Sequence, residues 1–496
     1  MNAQISHRWW VLAVVIGGQF MFVVDAFIVN VAVPSIRSDL QASGGAMEAV
    51  IAIYQLAYAT LVITGGRLGD MHGRRRLFLI GLLGFTAASI LCGLASTSAM
   101  LIAARLAQGA AAALMSPQVL ATIHTLFPDA ARTRAFAVFG IALGLGGATG
   151  FLLGGWLIQL NIAGLGWRSV FFVNGPVGVA LAAAAMIVMP EDAGRRSGGL
   201  DLPEAATLFV GLLCLVGPVL AARDLHYAWW LWGIEAFGAV ILVAFVQLER
   251  RTEQAGRTPL IDLDLLDDRR FVLGIAATAC FFTANISVYL VVTLFLQGGL
   301  GWSALGAGSS VLPLALAFVV ASRHGVRRFA SRGLRSLIEG CLLEAAGLLA
   351  VVLVVAGGTS QVPLILALGV FGYGQGLVMA PLFSAILTAV RHAHAGSGAG
   401  LLTTVQQVAN GIGVALIGGL YFAVQPTVGD TGALLVSLLD AVIALLATAV
   451  LLARMNRLAR YMAAAGGPAA YHPGGGLNPA QTCSSRAAAA MVERSP

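Results

Sequence analysis

Two ionisable residues, Asp25 and Arg105, stand inside long apolar stretches where a charge has no solvent. Asp25 precedes Pro34 by nine residues, so its carboxyl sits about 14 Å below the end of its apolar segment at the helical rise per residue. Arg105 lies six residues into another segment, or about 9 Å down from the same side. The two depths agree within the reach of one arginine side chain. A charge at such depth costs at least about 2.5 kcal/mol, so each group faces a partner or a wet cavity rather than lipid. Such a pair has two uses. It can be a static ion pair tying two helices, or a carboxyl that binds a proton in one arrangement of the helices and releases it in another.

Glu235, Glu344 and Asp440 also fall in apolar segments; Glu344 reads as close to a segment end, and all three as satisfied structural acids, with Glu344 or Asp440 taking the coupling role if Asp25 is merely structural. Asn285, Ser287, Tyr289 and Gln297 on one segment, and Gln406, Gln407 and Asn410 on another, are spaced either to line a polar wall or to form interhelical hydrogen bonds. No nucleophile with a base and no HExxH is present, which argues against an intramembrane enzyme. The five cysteines are scattered, without CxxC or a His/Cys cluster, so no metal and no disulfide framework is expected. His392 and His394 stand beside Arg391 at a cytosolic loop, where they read as topology or a solvated turn.

The elements that hold these groups are long helices. Of 496 residues, 58% are hydrophobic and 10% charged, against about 25% charged in a soluble chain. Apolar stretches of spanning length fall near 9–33, 46–66, 77–96, 99–118, 133–158, 168–190, 202–222, 228–248, 270–297, 304–322, 335–357, 361–381, 397–424 and 431–453, which makes fourteen. The first run is too long for a secretory leader, carries an acid and lacks a small-residue cleavage site, so it reads as a permanent helix. All 29 basic residues are arginine. With both termini cytosolic, 25 arginines fall inside, three outside (Arg37, Arg168, Arg223) and one, Arg105, within a helix. That partition supports both the count and the orientation, and it accounts for the net charge of +7 without nucleic acid.

A basic turn, GRLGDMHGRRR (Gly66 to Arg76), follows the second helix and another, SRHGVRRFASR (Ser322 to Arg332), follows the tenth; glycine-dense helices recur at positions five and thirteen. The repeat divides the chain into a six-helix bundle at 1–190, an inserted helix pair with its linkers at 191–269, a second bundle at 270–455 and a Gly-, Pro- and Ala-rich tail at 456–496 expected to be disordered. In the first basic turn Gly66, Gly69 and Gly73 permit close backbone approach, Asp70 can face a helix N-terminus, and Arg74 can pair with acids or lipid phosphates. The bland reading is a positive-inside turn.

The G-x-L-x-D-x-x-G-R-R pattern of that turn resembles the signature loop of the major facilitator superfamily. DAFIVNVAVP (Asp25 to Pro34), RLAQGAAAAL (Arg105 to Leu114), WRSVFFVNGPVG (Trp167 to Gly178), DLPEA (Asp201 to Ala205), LQGGLGWSALGAGSSVLP (Leu296 to Pro313) and GSGAGLLTTVQQVANGIGVA (Gly396 to Ala415) are similar, in order and spacing, to the fourteen-helix drug:proton antiporter family. The resemblance implies an all-α polytopic membrane protein of two six-helix bundles plus two inserted helices. It implies proton-driven export of hydrophobic small molecules, with no cofactor beyond the proton gradient, across a bacterial cytoplasmic membrane. It implies proton coupling at Asp25 and Arg105, a gating turn at Gly66, Asp70, Gly73 and Arg74 and helix-5 gating at Gly146, Gly150, Gly154 and Gly155; Tyr54 and the polar residues Asn285, Tyr289, Gln297, Gln406, Gln407 and Asn410 are then the candidate substrate cavity. Three departures stand out. Phe151 occupies the place of the family's helix-5 proline, Ala49 that of a tryptophan ahead of Tyr54, and the second basic turn lacks the acid. Export of an endogenous metabolite, siderophore or lipid is the variant reading, and a substrate-bound sensor without flux is disfavoured by the acid in the first helix. Substrate identity, proton stoichiometry and oligomeric state are not encoded in any motif.

Overall fold

The computed structural model describes residues 2–127, 129–191, 202–222, 225–226, 228–255, 263–358, 361–388, 390 and 395–464. Arg195, Arg196, Asp201, Arg223, Arg391, His392, His394 and the tail from 465 onward lie outside the described residues. The described chain is helical: α1 Asn2–Asp39, α2 Gly44–His72, α3 Arg74–Gly93, α4 Ser98–Leu126, α5 Asp129–Leu160, α6 Ser169–Phe172, α7 Asn174–Val188, α8 Leu202–Ala221, α9 Trp230–Gln254, α10 Arg269–Leu294, α11 Ala304–Ser309, α12 Val311–Arg332, α13 Leu334–Ala356, α14 Gln361–Leu387, α15 Ala395–Gly413 and α16 Gly419–Ala464. Among them are thirteen helical stretches long and apolar enough to cross a membrane. The thirteenth, Gly398–Tyr461, holds 64 residues, about three times what a hydrocarbon core needs. It is broken at Gly429, whose φ of 70° and ψ of 176° are not helical.

Local chemistry sets the ends. Ser43 and Thr97 accept hydrogen bonds from the backbone N–H groups of Ala46 and Met100 and so cap α2 and α4. Both basic segments expected as turns are instead mostly helical, because α2 runs to His72 and α12 to Arg332. An arginine-bearing helix needs no apolar surroundings to continue past the membrane, so hydropathy places its end too early. The reversals occur at Gly73 (φ 93°) and Gly333 (φ 58°), each donating its N–H back to the helix it closes, to Gly69 and Phe329. These reversals mark the arginine-rich end of the molecule; the Asp39–Gly44 connection marks the opposite end. The boundary expected at 455 falls within α16, where Leu452 and Met455 are buried and carry the helix on to Ala464.

The helix pairing of α1–α7 recurs in α10–α16: α2 on α4 and α12 on α14, α3 on α4 and α13 on α14, α1 on α5 and α10 on α15, α3 on α7 and α13 on α16. The halves meet along two seams. In one, α2 lies on α15, with the Thr404 hydroxyl donating to the Ala59 carbonyl and Gln407 to Gln55 at 2.8 Å. In the other, α5 lies on α11 and α12. Between the halves in sequence, α8 and α9 pair with each other, and α8 rests on the first seam through Val216 and Leu220 against Ala52 and Ala415. The outer faces are apolar; Trp229, Trp232 and Phe237 of this pair's exposed surface are typical of a lipid-facing and interfacial boundary.

Candidate functional site

Asp25 and Arg105 meet. An Arg105 Nη1 donates to Asp25 Oδ2 at 2.5 Å, with the two side chains 0% and 1% exposed. The pair is built by five helices of the N-terminal half. From α4, one turn beyond Arg105, Gln108 accepts from Arg105 Nη1 at 2.8 Å and donates to Asp25 Oδ1 at 2.9 Å. From α7, Asn174 donates to the same Oδ1 at 2.8 Å and also to Ser89 of α3 at 2.9 Å. From α2, the Val50 carbonyl accepts from Arg105 Nε at 3.2 Å, and the Tyr54 ring lies 4.0 Å beneath the guanidinium. Every oxygen of the carboxylate is engaged, and the charges balance. A buried pair survives only when its remaining lone pairs and protons are also satisfied, which these amides achieve.

Tyr54 was expected in a substrate cavity. It is instead wholly buried, stacked on Phe22 and under Arg105, with its hydroxyl donating to the Phe22 carbonyl at 3.3 Å. Its cation–π contact makes it a wall of the charge site. Gln108, Asn174 and Ser89 went unnoticed in the sequence. Gln108 and Asn174 lie inside the quoted motifs, and the three-residue step from Arg105 to Gln108 was the available signal.

At the arginine-rich end, Arg74 lies 3.5 Å from Asp70, whose side chain is 69% exposed, and reaches α4 through Thr125 Oγ1 at 2.8 Å. Arg75 pairs with Glu191 at 2.9 Å. These contacts tie α2, α3, α4 and the end of α7 within one half. Gly69 is closely approached by Gln118, which donates to the Gly65 carbonyl at 2.8 Å, whereas Gly66 has ordinary space, an added Cβ lying 3.6 Å from Pro117. The close approach expected at Gly66 thus belongs to its neighbours Gly65 and Gly69.

On α5 the glycines divide between two partners. Gly146, Gly150 and Gly154 form a face against α1, where a Cβ on Gly150 would lie 2.7 Å from the Val24 carbonyl oxygen. Gly155 faces the other half, 2.6 Å from the Ala304 oxygen by the same construction. Phe151 is buried beside it, its ring 5.5 Å from that of Tyr289 and 5.8 Å from that of Phe27. An aromatic contact between halves therefore stands where a proline kink was the family expectation.

The C-terminal polar residues are mostly joined by interhelical hydrogen bonds. Tyr289 donates to Gln375 of α14 at 2.9 Å, and Gln375 donates to Asn285. Gln297, in the π-turn after α10, donates to the Val31 carbonyl at 3.0 Å and so pins the halves together at the opposite end. Asn410 donates to Gln407, the residue that reaches Gln55. Ser287 bonds back to its own helix, and Gln406 is half-buried. Glu344, expected near a segment end, sits at the middle of α13 and is fully buried. Glu235 and Asp440 are half-buried on α9 and α16.

Residues 15–414 match the family model described as the Major Facilitator Superfamily. The chain is 38% identical over 421 residues to the probable actinorhodin transporter of Streptomyces coelicolor, covering 84% of this chain and 73% of that one. It is 35% identical over 426 residues to puromycin resistance protein pur8 of Streptomyces alboniger, covering 83% and 81% respectively. With the multidrug resistance protein Stp of Mycobacterium tuberculosis it shares 32% over 415 residues, 82% of this chain and 74% of that protein. Among solved structures, a bacterial homologue of the human drug peptide transporters PepT1 and PepT2 superposes with a TM-score of 0.67 at 14% identity, over 92% of this chain and 99% of its own. A bacterial homologue of the lysosomal transporter Spinster gives 0.66 at 16%, over 91% and 97%. At those identities the likeness is one of fold. Pairing pattern, buried charge site and sequence match agree, and this multi-pass membrane protein is a transporter, not an enzyme, belonging to the major facilitator superfamily and related to drug and antibiotic exporters.

Proposed function

We propose that this chain is a proton-coupled antiporter that exports hydrophobic small molecules, drugs or antibiotics, across a bacterial cytoplasmic membrane by alternating access. The observation that carries the reading is the buried Asp25–Arg105 pair, held by Gln108 and Asn174 across α1, α4 and α7. An antiporter needs a group that is charged in one access state and protonated in the other. Movement of α1 relative to α4 would exchange the arginine for a proton as the partner of Asp25. The substrate path then follows the seam near Asn285, Tyr289, Gln406, Gln407 and Asn410, and the Gly66–Arg74 segment and the α5 glycines bear on opening and closing.

In this reading the break at Gly429 divides the last helical stretch into two spans, for fourteen in all. Residues 1–190 and 270–455 are the two bundles, 191–269 the inserted pair, and the arginine-rich end with both termini is cytosolic. The test is flux of puromycin in proteoliposomes holding the purified full-length protein under an imposed pH gradient. Wild type should move puromycin uphill with counterflow of protons, and Asp25→Asn should bind it but lose uphill movement. Flux indifferent to the gradient, or unchanged in Asp25→Asn, would overturn the proposal.

A further inference from the structure

A second acid is buried in the C-terminal half, away from the Asp25–Arg105 site. Glu344 is 0% exposed, and neither carboxyl oxygen accepts a hydrogen bond of good geometry. No arginine pairs with it among the described residues. The Asn285 amide faces it from α10, and the titratable groups nearby are Tyr289 of α10 and Cys341 one turn below on α13. Of the other helices on α13, α14 carries Tyr373, hydrogen-bonded to His324 of α12, and α16 carries half-buried Asp440. Gly374 of α14 presses directly on the Glu344 backbone, with no room there even for a Cβ. The place admits no substrate-sized group.

A carboxylate buried without a countercharge is too costly to keep, so in this arrangement the group holds its proton. A row of polar side chains leads outward from it, along which water can follow once it is opened. Asn285 accepts from Gln375, Gln375 accepts from Tyr289 at 2.9 Å, and the Tyr289 ring stacks on Phe151 of α5 and meets Phe27 of α1 edge-on at 5.6 Å. The polar chain from Glu344 thus ends at an aromatic contact between the two halves.

We propose that Glu344 is a second proton-carrying site of the transport cycle, closed from water by the Phe27–Phe151–Tyr289 contact. When α5 parts from α10 the stack opens, water reaches Tyr289 and the amides, and Glu344 releases one proton as its O–H bond breaks and the carboxylate keeps the electron pair. After the halves rock to expose the opposite side, it takes one proton from the water there, and the stack closes over the protonated acid. The inference rests on the proton-driven reading above and adds one proton per cycle to that carried by Asp25.

Purified full-length protein in lipid tests it by infrared spectroscopy, which reads the carbonyl stretch of a protonated carboxylic acid. At neutral pH that band should be present in wild type and Asp25→Asn, absent in Glu344→Gln, and moved in Glu344→Asp, which serves if Glu344→Gln does not fold. Phe151→Ala should speed its shift in D2O several-fold. In proteoliposomes the protons moved per puromycin should fall from two to one in Glu344→Gln. An identical band in Glu344→Gln, or an unchanged proton count, would overturn the inference while leaving proton-driven export standing. Puromycin flux that ignores the pH gradient in wild type would remove the export reading instead, and the infrared band would still decide whether Glu344 holds a proton.

Discussion

Replacing Arg105 alone should destabilise the protein strongly, and replacing Asp25 as well should cost less than the two changes added together. Its guanidinium contacts Asp25, Gln108 and the Val50 carbonyl and lies over Tyr54. Hydrogen bonds to charged groups are worth about 1.5–3 kcal/mol each, and a desolvated cation–π contact about 2 kcal/mol. These do not add, and removing one partner of a buried pair typically costs about 3–5 kcal/mol because the other charge is left unpaired. Arg105→Gln should therefore cost about 3–5 kcal/mol. Asp25→Asn should cost a comparable amount, because one asparagine oxygen can accept from Arg105 or from Gln108 and Asn174 but not from all three, and the buried guanidinium cannot shed its charge. The double variant Asp25→Asn with Arg105→Gln buries no charge, and its cost should fall at least about 2 kcal/mol short of the sum of the singles. The assay is unfolding of the purified protein in mixed micelles titrated with denaturing detergent, followed by tryptophan fluorescence. If Arg105→Gln costs under about 1 kcal/mol, or if the two single costs add, the pair is not the electrostatic unit described here.

Three further outcomes follow from the same coordinates. Gly150→Ala should destabilise by about 1–3 kcal/mol through overpacking against the α1 backbone, whereas Gly140→Ala, with nothing within 4 Å of its Cβ position, should be neutral or stabilising by about 0.5–1 kcal/mol; thermal melts compare them. Asp70→Asn, at an exposed ion pair, should change stability by less than about 1 kcal/mol, yet lower substrate efflux, so a melt and a flux assay on one preparation separate the two effects. Reporter fusions after Leu300 should read outside and after Arg332 inside; a reversed result at Arg332 removes the assigned orientation.

The inserted pair and the α5 contact give the two seams different characters. The α2–α15 seam is bridged by amides, Gln55 with Gln407, and is covered by α8. The α5–α11 seam is made of glycine contacts and the Phe151 ring. Amide contacts can be exchanged for water at small cost, while an apolar stack must expose its area to open.

Much of this molecule is legible in one dimension. Long apolar runs must become helices in a membrane, since only intrahelical bonding satisfies the backbone there. The arginine partition and the recurring basic segment mark the two ends and the repeat. Asp25 and Arg105 could be paired in advance because depth follows from residue count, and a charge in hydrocarbon must find its opposite. Count along a helix gives depth but not azimuth, and the remaining assignments depend on azimuth. Whether Tyr54 faces a cavity or lies beneath Arg105, and whether Asn174 reaches Asp25 or lipid, follows from how helices distant in sequence rotate against one another. That rotation is set by contacts such as Gly150 on Val24 and Gly374 on Glu344, each between segments whose proximity exists only after packing. The sequence by itself determined which groups are too polar for lipid; only the tertiary structure decided that Asp25 is fully partnered and Glu344 is not, because a hydrogen bond requires direction as well as depth.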